Sequence, residues 1–193
     1  MTPGLKWRII SLQIVLAVTL AFGSGFLFWA SNFTQSYVHD ELVSQKIAFP
    51  PATSPAITSL PAADAAAMTQ YAGQALDTGE KAKVYANNFI NVHLGEMGMT
   101  YSQASAKAMA APTNLKLQGT VNTLFKGETL RGLLLNGWGW WTIGAYSFWA
   151  AIVLALATLA VLGALAYEAV VAPRTEKAAT ATSPGLRTSG VRA

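Results

Sequence analysis

The chain has 193 residues, 52% of them hydrophobic and 11% charged, with no cysteine and a formal net charge of +4. A soluble domain carries roughly 25% charged residues, so the composition speaks against an ordinary cytosolic enzyme. The missing cysteines exclude disulfides, thiolate nucleophiles and thiolate metal centres.

Ile9 to Ala30 contains no ionisable side chain. It is long enough to cross a bilayer core of about 30 Å as a helix. A second uncharged run, rich in Ala, Leu and Val, extends from Thr142 to Ala166 and stops at Tyr167, Glu168 and Pro173. A soluble core helix would need more surrounding protein than the remaining residues supply, so two membrane spans are expected. Trp7 and Trp29 bracket the first run, Trp138, Trp140 and Trp141 precede the second, and Trp149 lies inside it. Indole rings favour the headgroup level, which makes the first five expected membrane-interface residues.

Charge orients the spans. Lys6 and Arg8 precede the first, and Arg174, Lys177, Arg187 and Arg192 follow the second, against Glu168 and Glu176. Between the spans, Lys46, Lys81, Lys83, Lys107, Lys116, Lys126 and Arg131 balance Asp40, Glu41, Asp64, Asp77, Glu80, Glu96 and Glu128. Positive flanks stay in the cytoplasm, which places both termini inside the plasma membrane and the middle outside. The expected organisation is a cytoplasmic tail 1–8, span 9–30, extracytoplasmic domain 31–137, an interfacial segment with the second span 138–168, and a disordered cytoplasmic tail 169–193. A cleaved secretory signal is the rival for the first span, with Ala21-Phe22-Gly23 as its cleavage site. Phe26 to Trp29 continue the apolar run past that site and favour an uncleaved anchor.

Within the outer segment, Thr34 to Ala48 reads as a helix leaving the first span. The Pro-rich stretch 50–61 interrupts it, because proline lacks the donor a helix interior needs. Met68, Tyr71, Ala72, Ala75 and Leu76 then fall at helical spacing, as do Ala82, Tyr85, Ala86, Phe89 and Val92, with Asp77-Thr78-Gly79 as a turn between them. Tyr101 to Ala111 reads as a short helix ended by Pro112. A further helix from Leu117 is expected to break or bend near Gly127 before resuming toward the second span. Strand signals are nearly absent, so the fold class is all-α, two transmembrane helices flanking a helical extracytoplasmic domain.

Several phrases carry a resemblance: Gln70-Tyr71-Ala72-Gly73-Gln74 with Thr78-Gly79, Tyr85-Ala86-Asn87, His93-Leu94, Thr100-Tyr101-Ser102, and above all Phe125 to Leu135. Together they resemble a family of small, uncharacterised actinobacterial membrane proteins. The resemblance covers the outer segment and implies its architecture without an established activity. Many members of that family have a cysteine pair around the two amphipathic helices, which this chain lacks. Some carry a ring-opening dioxygenase label, which would imply two histidines and a carboxylate on one face of a non-haem iron.

For such a metal the candidate ligands are His39, His93 and Glu96, and no HxH, HxxxH or HExxH spacing occurs. There is no G-x-S-x-G elbow and no phosphate-cradling glycine loop outside the spans. No cofactor and no nucleic-acid partner is expected. Ala17, Ala21 and Gly25 in the first span, and Ala160 with Ala164 or Ala151 with Ala155 in the second, form small-residue stripes that allow helix packing, on each other or on another protein. Glu128 and Arg131 fall one helical turn apart and, with Lys126, mark either the base of the domain or a docking surface. The expected partners are therefore the lipid bilayer and another membrane protein or a second copy. The expected role is a non-catalytic accessory or interaction protein, with an extracytoplasmic sensor as the alternative and a metalloenzyme third.

Overall fold

The computed structural model describes residues 3–171, and they are helical with no strand among them. The order is α1 (Pro3–Ser44), α2 (Pro55–Thr58), α3 (Ala62–Thr69), α4 (Gly79–Val84), a π-helical turn (Tyr85–Ile90), α5 (Asn91–Gly95), α6 (Tyr101–Ala110), α7 (Leu115–Ala166) and a second π turn (Tyr167–Val171). Two helices are long and apolar enough to cross a membrane, and only 6% and 11% of their most apolar windows are buried. Core helices of a soluble fold would be mostly buried. At 1.5 Å per residue, the 42 residues of α1 extend about 60 Å, twice a bilayer core.

The chain divides into two compact units, Trp29–Phe148 and the pair Met1–Phe28 with Trp149–Ala193. In the second unit, the described parts of α1 and α7 run antiparallel. The buried or half-buried positions include Gln13, Ala17, Leu20, Ser24 and Leu27 on α1, and Ala151, Leu154, Thr158, Val161 and Leu165 on α7 with Glu168 in the π turn after it; Ile9, Ile10, Gly23, Ile152, Ala155 and Ala157 are half-buried beside them. Alternating steps of three and four give a 3.5-residue period, the pattern of a left-handed coiled-coil seam. Hydrogen bonds cross it: the Ser24 hydroxyl donates to the Ala151 carbonyl at 2.8 Å, and the Gln13 amide donates to the Glu168 carboxylate at 3.3 Å. The outward faces carry Leu12, Val15, Val18 and Phe22 on α1 and Val153, Leu156 and Leu159 on α7, all exposed.

In the unit Trp29–Phe148 a closed apolar core forms around Phe49, Ile57, Met68, Leu76, Leu124 and Leu134, each under 2% exposed. Removing a side chain of this size from water contributes roughly 1.5–3 kcal/mol. Phe49 sits at the centre of an aromatic cluster, 5.4 Å from Tyr71 and 5.4 Å edge-on from Tyr85.

Several expected boundaries move. The outgoing helix ends at Ser44 rather than Ala48, because the backbone turns at Lys46, whose φ of 54° is left-handed. The Pro-rich stretch hosts one helical turn of its own, with Pro55 in the first turn and the Ser54 hydroxyl accepting from the Ala56 amide. No helix spans Met68 to Leu76. Instead α3 ends at Thr69, and the following turn is tied to residues 47–49 through Phe49 N to Gln74 O and Leu76 N to Ile47 O, both 2.9 Å. Met68 and Leu76 are both buried, so their helical spacing reflected a shared core and not a shared helix.

Of the break or bend expected near Gly127, no break occurs, and α7 runs through it. A side chain at Gly127 would meet Leu94, and one at Gly79 would meet the Trp141 ring. These glycines let helices approach closely. The helix also continues past Glu168 to Val171, so the expected tail 169–193 begins as a π turn, and its remainder lies outside the described residues.

Candidate functional site

The clearest concavity with polar groups lies in the unit Trp29–Phe148. It is a cleft of about 410 Å³ where α5, the start of α6 and α7 meet. Local sequence explains its walls. The Thr78 hydroxyl accepts from the Lys81 amide and starts α4, and the π turn Tyr85–Ile90 then inserts into the helix. The turn presents consecutive asparagines to different neighbours: Asn88 donates to Asp64 of α3 at 2.8 Å, while Asn87 accepts from Arg131 of α7 at 3.4 Å. Its end brings Asn91 and Leu94 to the cleft.

The opposite wall starts at a capping box. The Thr100 hydroxyl accepts from the Gln103 amide at 3.3 Å, and the Gln103 side chain accepts from the Thr100 amide at 3.0 Å. Glu128 is the one ionisable residue among those lining the cleft, and Arg131 approaches it at 3.5 Å across one helical turn. Both groups are partly exposed, so water screens the pair and it contributes little to stability. Arg131 is held on two sides, and its Nε is buried without a partner among the described residues. Lys126 is exposed and Glu128 nearly half exposed. Thr100 and Gln103 are occupied with each other, so the cleft offers Asn91 and Glu128 above an apolar floor of Leu94, Met99 and Leu124. That chemistry suits binding a polar or cationic group.

The metal candidates are not brought together. His39 Nδ1 donates to the Asp77 carbonyl at 2.9 Å, fixing the end of α1 against the residues that start α4. His93 Nδ1 donates to the Phe89 carbonyl at 2.8 Å, and its ring packs 4.5 Å from that of Phe89. Glu96 is exposed after α5, and among the described residues no group of three His, Cys, Asp or Glu side chains is placed to hold an ion.

The interface tryptophans separate into two sets. Trp7, Trp29 and Trp140 are exposed. Trp138 and Trp141 turn toward the protein: Lys83 Nζ stands 4.4 Å over the Trp138 ring, and Trp141 packs against the core and Gly79. Both are half-buried, so each ring has a partner within its own unit. Of the small-residue stripes, Ala17 and Ala151 lie in the seam, whereas Ala21, Gly25, Ala160 and Ala164 are exposed. A four-residue repeat drifts around the helix away from a 3.5-residue seam.

Burial of the Tyr85 phenol pushes its pKa above the ordinary value, because desolvation disfavours the phenolate. Comparison with protein-family models, curated proteins and solved structures returned no match.

Proposed function

We propose that this chain is a two-pass membrane protein that presents its helical unit, outside the cytoplasm, to a partner in a membrane or envelope complex, and has no catalytic role. One observation carries the reading: the most apolar stretches of α1 and α7 are almost wholly unburied, only 6% and 11% of them being buried. A helix pair with Leu, Val and Phe on its outer faces, and with Ser24, Thr158 and Gln13 among the Ala and Leu of its seam, suits a lipid solvent. The basic flanks Lys6, Arg8, Arg174 and Lys177 favour cytoplasmic termini. Asn91 and Glu128, beside exposed Lys126, supply a polar surface for the partner.

The test is purification of the full chain from membranes in mild detergent, followed by mass spectrometry. A stoichiometric companion protein is expected with the wild-type chain and is lost with Glu128→Lys. Recovery of the wild-type chain as a lone monomer contradicts the reading. The cleft itself favours a second reading, an extracytoplasmic sensor that takes a small polar ligand there and works through a separate transducer.

A further inference from the structure

An aromatic ladder runs along α1 across the end of its apolar run 9–30. Trp29 and Phe33 stack at 5.5 Å with planes 17° apart, and Phe33 and Tyr37 at 6.2 Å and 15°. The rings of Phe33 and Tyr37 are more than half exposed. Two clefts share them. One, of about 180 Å³, is lined by Phe33, Thr34, Tyr37 and Trp140 and is almost wholly apolar. The other, of about 410 Å³, is polar at its far end, where Ser36 and Asp40 join Tyr37.

The charge here has one sign. No Lys or Arg lines either cleft, and none pairs with Asp40 among the described residues. The last turn of α1 contains no basic residue, so Asp40 and its neighbour Glu41 add to the negative pole of the helix terminus. Tyr37 ends the stack one turn before Asp40. A cation placed there meets a ring face and a carboxylate together, the pairing that recognises ammonium groups.

We propose that this face of α1 seats a phospholipid with an amine head group, its ammonium between Tyr37 and Asp40 and its upper acyl chain in the groove of Phe33, Tyr37 and Trp140. Lipid is the occupant because the apolar groove and the anionic cleft share Phe33 and Tyr37, and because the ladder begins at Trp29, where the apolar run 9–30 of α1 gives way to polar Ser31 and Asn32, with no charged residue between them and Asp40. Ser36 supplies a hydroxyl donor to the phosphate between them. The proposal rests on the membrane reading above and adds the identity of a bound head group.

The experiment reconstitutes the full chain into phosphatidylglycerol vesicles containing phosphatidylethanolamine as a minor component, extracts it in mild detergent and weighs the retained lipid by native mass spectrometry. The expected result is about five- to tenfold enrichment of phosphatidylethanolamine over its share of the vesicle. Asp40→Asn and Tyr37→Leu abolish the enrichment and Tyr37→Phe keeps it. These side chains are exposed, so the variants fold. Equal retention of the two lipids, or enrichment unchanged in Asp40→Asn, overturns the proposal while leaving the membrane reading intact. A chain that does not enter the vesicles overturns both.

Discussion

The two units differ most in what they leave exposed. In Trp29–Phe148, Met68, Leu76 and Leu124 are sealed from solvent and the surface carries the charges. In the unit of 3–28 with 149–171, Leu12, Val153 and Leu159 face outward, while Ser24, Thr158 and the Gln13–Glu168 pair face the seam. Burial of apolar area stabilises the first, since water penalises its exposure. In the membrane reading proposed above, lipid provides no such force between helices, and the second unit then depends on close packing and a few hydrogen bonds.

That contrast predicts where substitutions act, and the largest effect belongs to the sealed core. Met68→Ala removes a fully buried side chain and is expected to destabilise Trp29–Phe148 by about 2–5 kcal/mol. Leu156→Ala, on an exposed position of α7, is expected to leave thermal unfolding in detergent nearly unchanged. Equal losses would mean that both positions see the same solvent, and hydrogen exchange across the two units would report it.

Backbone and cap changes come next. Lys46 occupies a left-handed conformation after the end of α1, so Lys46→Gly is expected to raise stability by about 1 kcal/mol. A lower melting temperature would mean that the Lys46 side chain contributes more than its backbone costs. Thr100→Ala removes one half of the capping box and is expected to cost about 1 kcal/mol, with faster amide exchange confined to the first turn of α6. In the seam, Ser24→Ala is expected to cost only about 0.6 kcal/mol, read as a small change in detergent-induced helix dissociation.

The smallest effect is pH-dependent. The folded Tyr85 phenol titrates above its unfolded value, so its contribution is complete below about pH 10 and is lost as pH rises through the folded pKa. Alkaline melting curves of Tyr85→Phe should lack that component, and an unchanged alkaline limb would assign it elsewhere.

How much was readable from the sequence follows from the same contrast. The helical apolar runs, α6 and the Glu128–Arg131 pair lie where spacing and charge put them, because those signals are local. The turn after Thr69 was not readable, since only contact with residues 47–49 distinguishes it from another helical turn. Trp138 and Trp141 carry the same indole whether lipid or a folded unit covers it, so composition could not sort them from Trp140. The small-residue stripes enter the seam in part, at Ala17 and Ala151, because a seam of period 3.5 takes Ser24 and Thr158 in preference to Gly25 and Ala160. The Thr-x-x-Gln signature at 100–103 was visible and marks one wall of the cleft, but Asn91 and the π turn that delivers it leave no comparable trace.

The most direct test uses the absence of cysteine. Single substitutions Ser102→Cys, on an exposed position of α6, and Lys6→Cys, before the first uncharged run, can each be treated in intact cells with a membrane-impermeant maleimide. A two-pass chain with an outer helical unit predicts that Ser102→Cys is labelled in intact cells and Lys6→Cys only after permeabilisation. Labelling of Lys6→Cys in intact cells with Ser102→Cys protected, or of both only after permeabilisation, would contradict it.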